Sequence, residues 1–171
     1  RGGHLFITAQ TTDLTNGAQI IASTESTGAG GNITLAAQDP SAQSTLFISG
    51  FDSDGTSGGI QNPDGFITSG VFTTASSGGP GSEVSIQASS VILDQGGVIE
   101  TRTSDDGHGG NISLSANTVD ITGGGGIISR SGNLGGSGQG GDIAVNAVES
   151  VVISGVSLDV FTLSNVSTIK L

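Results

Sequence analysis

Apolar and polar residues alternate along most of this chain in short bursts, and the bursts recur. Leu5/Ile7/Ala9, Ile33/Leu35/Ala37, Val84/Ile86/Ala88, Ile112/Leu114/Ala116 and Ile143/Val145/Ala147 each occupy every second position. A period of two marks a strand with one buried face. Each burst follows a glycine-rich opening: "GGHLFITA", "GGNITLAA", "GSEVSIQA", "GGNISLSA" and "GGDIAVNA" begin at residues 2, 30, 81, 109 and 140. The copy at 81 is degenerate, with Ser82 in place of the second glycine.

Two further segments repeat behind the first. One alternates as Leu46/Ile48, Val91/Leu93, Val119/Ile121 and Val151/Ile153, and runs into small residues. The other opens after glycine as "GAQIIAST" (17–24), "GVIETRT" (97–103) and "GIISRS" (126–131). Aligning Ile20, Ile99 and Ile127 inward places Glu100, Arg102 and Arg130 on the outer face. No stretch carries the i, i+3, i+4 spacing of an amphipathic helix, and glycine is too frequent for one to persist.

The openings are spaced by 28, 51, 28 and 31 residues, and recurrence on this scale is the mark of a solenoid. Strands this short satisfy their backbone groups only by pairing with the equivalent strand of the next coil, parallel and in register. The fold predicted is all-β: a right-handed parallel β-helix with three short strands per coil of about 28 residues, handed by the usual crossover rule. Residues 1–171 form a single segment of at least five coils. The long spacing exceeds the regular one by 23 residues, which two insertions and a one-residue shortening account for, the insertions lying near "DPSAQ" and at about 51–65. Around the second, either "GVFTTAS" (70–76) or "GFITSG" (65–70) is the third strand.

Composition narrows the core. The chain has 31 Gly, 6 Phe and no Trp, Tyr, Met or Cys, so Ile, Val, Leu and Ala must fill a thin, regular interior. Glycine reaches positive φ without steric penalty and is expected at the corners. Asn32, Asn111 and Asp142 follow the glycine pairs, where a stacked side chain bonds the turns above and below. Phe6 and Phe47 fall outward; Phe51, Phe66 and Phe72 cluster around the insertion, which buries them if it folds back on the shaft.

A formal charge of -11 with 4 basic residues opposes nucleic-acid binding. No apolar run approaches the roughly 20 residues of a membrane-spanning helix, so no transmembrane segment is expected. The chain begins and ends inside β-prone repeats, and each end is expected to continue into another coil or to associate with a second copy.

Candidate chemistry is sparse. Asp52 and Asp54, two apart before a glycine, offer hard oxygen ligands for a weak Ca²⁺ site in a loop; no other cofactor is implied. A solvated acidic turn is the plainer reading of the same residues. His4 and His108 adjoin glycine pairs with no second ligand at zinc spacing. Asp105 and Asp106 near Arg102 would suit a polysaccharide-cleaving β-helix enzyme, but the aromatic platforms of such enzymes are lacking. An ice or mineral binder needs an unbroken Thr array, and here Thr positions are interrupted by Glu, Arg and Ser.

"GAGGNITLAAQ", "GHGGNISLSANTVDITGGGGIISRS" and "GQGGDIAVNAVESVVISG" resemble the shaft coils of filamentous-haemagglutinin-like exoproteins, over essentially the whole chain. Such proteins occur in cyanobacteria and other Gram-negative bacteria. The resemblance implies a secreted or cell-surface structural and adhesive rod, exported with an outer-membrane two-partner-secretion transporter. It also implies contacts with surface glycans or neighbouring cells and self-association into fibres. It supplies no catalytic residue. The alternative class is a carbohydrate-active β-helix enzyme of lyase or hydrolase type.

Overall fold

The five glycine openings lie directly above one another. A computed structural model of the chain describes residues 2–25, 27–52, 59–61, 65–76, 79–104, 107–132, 138–155 and 169–170. Its strands are β1 (Leu5–Thr8), β2 (Thr11–Thr15), β3 (Gln19–Thr24), β4 (Ile33–Ala36), β5 (Thr45–Ser49), β6 (Phe51–Asp52), β7 (Ile67–Thr68), β8 (Gly70–Ala75), β9 (Val84–Gln87), β10 (Ser90–Asp94), β11 (Val98–Thr103), β12 (Ile112–Ile121), β13 (Gly126–Ser131), β14 (Ile143–Ile153) and β15 (Ile169–Lys170). The described residues contain no helix. The architecture is a parallel β-solenoid of about 4 turns, with β14 opening a fifth coil.

Three ladders run along it. The first-strand ladder stacks β1, β4, β9, β12 and β14, pairing Leu5 with Ile33, Ile33 with Val84, Val84 with Ile112, and Ile112 with Ile143. These offsets are the 28, 51, 28 and 31 of the sequence repeat. The second-strand ladder stacks β2, β5, β10 and the C-terminal halves of β12 and β14. The third stacks β3, β8, β11 and β13. In coils 4 and 5 the first two strands merge into one.

Inward rows are those of the alternation. Ile33, Val84 and Ile112 are fully buried, as are Val91, Leu93 and Val119 one face along. Stacking like on like makes a narrow core of branched aliphatics and keeps each side chain against its own kind in the next coil. The register settles the rival third strands. Gly70–Ala75 pairs with Gln19–Thr24 below and Val98–Thr103 above, so "GVFTTAS" is the strand. "GFITSG" supplies β7, which pairs antiparallel with β6 outside the stack. The excursion starts at Phe51 and ends at Ser69, whose N–H donates to the Gly50 carbonyl at 3.0 Å; it is therefore longer than 51–65.

The role of the glycine pairs differs from the expectation. None has positive φ; left-handed backbone occurs instead at Asn16, Gly17, Gln95, Gly96, Gly123 and Gly124, where the second strand turns into the third. The pairs are glycine because successive coils touch there backbone to backbone. A Cβ on Gly31 would lie 1.7 Å from the Gly3 carbonyl oxygen, and one on Gly110 1.8 Å from that of Ser82. The stacked amides bond the following turn: Asn32 Oδ1 accepts the Glu83 N–H at 3.1 Å, and Asn111 Oδ1 accepts the Asp142 N–H at 2.8 Å.

Leu114→Ala, at a fully buried position, should cost about 2–5 kcal/mol in urea unfolding. Phe6→Ala, where the ring is 66% exposed, should cost well under 1 kcal/mol; comparable losses would contradict the register. Gly110→Ala should destabilise more than either, because the obstruction is a neighbouring backbone that cannot rotate away. Ser82 carries a buried hydroxyl with no hydrogen-bond partner among the described residues, so Ser82→Ala should raise stability by about 1 kcal/mol.

Candidate functional site

The third ladder has two polar surfaces of different use. On its inner side Thr101 and Thr103 are buried, and their hydroxyls donate to the Gly110 and Gly107 carbonyls at 2.7 and 2.8 Å. Ser129 donates to the same Gly110 oxygen at 2.8 Å, and Ser131 donates to Gly107. The carbonyls of this one corner, where the chain turns to start a new coil, are thus satisfied from both sides: by Thr101 and Thr103 of the strand before it and by Ser129 and Ser131 of the next coil. This polar end of the core escaped sequence reading, although the alternation from Ile99 through Thr101 to Thr103 already put both threonines inside.

On the outer side lies the charged group anticipated from the alignment. Glu100 is 4% exposed, and its Oε1 accepts Arg102 Nε at 2.8 Å and also Arg130 Nε from the next coil. Arg102 and Arg130 stand opposite each other in register, an arrangement that repels unless a shared carboxylate neutralises it. Glu100 in turn is buried beside Phe72, its neighbour in the ladder below. Phe72 is buried because its ring lies over Gly70: a Cβ there would be 2.6 Å from Phe72 Cε2. Phe51 and Phe66 stack at 5.2 Å, with Phe51 exposed and Phe66 half-buried, so the insertion buries its aromatics only in part. Asp105 and Asp106 lie outside the described residues.

Asp52 sits in β6 against Ile67, half-buried; Asp54 lies outside the described residues. Among the described residues no group of three or more His, Cys, Asp or Glu could hold a metal ion. His108 is an exposed corner residue whose Nδ1 accepts the Gln139 N–H at 3.3 Å, which ties adjacent corners together. His4 is exposed at the corresponding corner.

A groove opens at the corner between the first and second strands, with a volume of about 240 Å³. Its walls come from unequal corner lengths. In coil 2 the "DPSAQ" insertion separates Ala37 from Ser44 and raises Pro40; in coil 5 one additional residue pushes out Val148, which is 83% exposed. Between them the short corners of coils 3 and 4 form a floor of Gln87, Ala88, Ser89, Ser115, Ala116 and Asn117. The Pro40 wall is braced. Gln10 of coil 1 accepts the Asp39 N–H at 2.6 Å and donates to the Gln43 carbonyl at 3.0 Å. Ser44 and Ser89 each accept the other's backbone N–H, at 2.8 and 3.0 Å. The Ser41 hydroxyl, with the Ser41 N–H beside it, holds the Asp39 carboxyl below the ordinary value.

Glu100→Gln should lower stability by about 1–3 kcal/mol, since it leaves two guanidiniums facing each other beside a buried amide; solvent at the partly exposed arginines keeps the loss below that of a fully buried pair. Raising the salt concentration should shrink the loss, because the repulsion between the arginines is screened. A loss that is independent of salt would contradict the pairing. Among the described residues no helix is long and apolar enough to cross a membrane. No protein-family model, curated protein or solved structure matches the chain.

Proposed function

We propose that this chain is a shaft segment of a secreted or cell-surface β-helical exoprotein, structural and adhesive rather than catalytic. One observation carries the reading: the hydrogen bonds that hold the fold run from coil to coil along a single axis, from Leu5 N–H to the Asn32 carbonyl, Ile33 to Glu83, Val84 to Asn111 and Ile112 to Asp142. A molecule assembled this way grows in one dimension by adding coils and keeps the same cross-section. It provides reach and stiffness and presents loops at intervals along a regular face. The resemblance of its repeats to filamentous-haemagglutinin-like coils supports the same reading. It also supports export through a two-partner-secretion transporter, with glycans, neighbouring cells or further copies of the chain as partners.

Latex beads coated with the 171-residue chain should adhere to bacterial or host cell surfaces, or cluster with one another, more than beads coated with albumin. Beads that neither adhere nor cluster, or release of reducing ends from a panel of polysaccharides, would overturn the proposal, the second in favour of a carbohydrate-active enzyme.

A further inference from the structure

The groove at the first corner is framed and unsaturated at once. The hydroxyls and amides that hold its walls, Gln10, Ser44 and Ser89, are used up in the bracing described above. Apart from Ser89, the polar side chains on its floor are not. Among the described residues Gln87, Ser115 and Asn117 make no side-chain hydrogen bond, and all three line the same cavity. Ala88 and Ala116 between them keep the floor low. The walls at Pro40 and Val148 stand three coils apart, which at an inter-strand spacing of ~4.8 Å leaves room for a chain to cross the shaft. Both walls present aliphatic surface to the cavity.

The lining selects among ligand classes. It contains no ionised side chain, and the protein carries a net charge of -11, so phosphate, sulfate and uronate chains are repelled without a cation to receive them. The floor has no large apolar side chain to bury a hydrophobic helix or an acyl chain. The floor strands are paired on both sides, β9 between β4 and β12 and β12 between β9 and β14, so no open edge is offered to an extended peptide. Neutral amide and hydroxyl groups that both donate and accept, flanked by aliphatic walls, fit a neutral sugar ring, which has hydroxyls around its rim and C–H groups on its faces.

We propose that this groove binds a segment of neutral polysaccharide, laid across the shaft between the Pro40 and Val148 walls and hydrogen-bonded to Gln87, Ser115 and Asn117. The proposal rests on the adhesive reading and names its ligand class. An open, shallow site of this kind binds weakly alone, and adhesion then comes from many shafts acting together.

The test is nuclear magnetic resonance of the ¹⁵N-labelled chain titrated with neutral hexasaccharides of cellulose, xylan and amylose. An oligogalacturonate and a neutral extended peptide are the comparators. At least one neutral sugar should move the amide signals of Gln87, Ser89, Ser115, Asn117 and Val148 and leave those of the third ladder still. The double variant Ser115→Ala/Asn117→Ala should bind that sugar about tenfold more weakly. Thr34→Ala/Ser85→Ala, outward on the same sheet but outside the groove, should bind unchanged, and the unshifted remainder of each spectrum reports that the variant is folded. The proposal is overturned by the absence of groove shifts with every neutral sugar, by a stronger response to the acidic oligomer or the peptide, or by equal binding of the floor variant. Coated beads that still adhere when they carry the floor variant would reject the groove and leave the adhesive reading standing.

Discussion

Backbone meets backbone at the glycine corners, and the rest of the molecule is arranged around that contact. Gly31 against Gly3, Gly110 against Ser82 and Gly141 against Gly110 approach so closely that no side chain fits between them. The close approach sets the axial step of the stack, and the inward rows, which a one-residue slip would turn outward, fix its register with it. With register set there, the Ile, Val and Leu rows fall on top of one another, and each coil's amides meet the carbonyls of the next. The inward Thr and Ser of the third strand complete the corner by donating to its carbonyls. A polar patch inside an aliphatic core is stable here because every hydroxyl named has an acceptor.

Function-bearing variation is confined to what the corner contact does not govern. Outward positions can differ freely from coil to coil, so one rung carries Phe72, the next Glu100 and the next Ile128 at a single place in the ladder. Corner lengths can differ as well. The "DPSAQ" insertion and the additional residue at Val148 leave the ladders intact on either side and change only the relief of the surface. A groove between a tall corner and a displaced one follows from loop length alone, without any change to the core.

Much of this was legible in the residues because solenoid stacking turns sequence period directly into contact. The strands, the inward rows, the outward placement of Glu100, Arg102 and Arg130, and the role of Asn32 and Asn111 all follow from alternation plus the repeat. The glycine pairs were misread, since positive φ and the exclusion of a Cβ leave the same residue in the sequence and only backbone geometry separates them. The strand Thr11–Thr15 went unnoticed because Thr12 stands where later coils carry Leu or Val. Arg130 reaching back to Glu100 follows from the 28-residue step that sets it beside Arg102, but the placement of Phe72 beside Glu100 needs "GVFTTAS" as the third strand, a choice the sequence leaves open against "GFITSG". The groove was not legible, because a cavity is a difference between neighbours, whereas repeat analysis looks for what neighbours share.

Amide hydrogen exchange tests the account most directly, because it reads the axial hydrogen bonds one at a time. The N–H groups of Val84 and Ile112, each 2.9 Å from a carbonyl of the following coil, and of Gly81 and Gly109 at the corner should exchange only through global unfolding, with one common, high opening free energy. Fast exchange at Gly81 and Gly109, with protection surviving only within the strands, would show that the corners are not where the coils are joined.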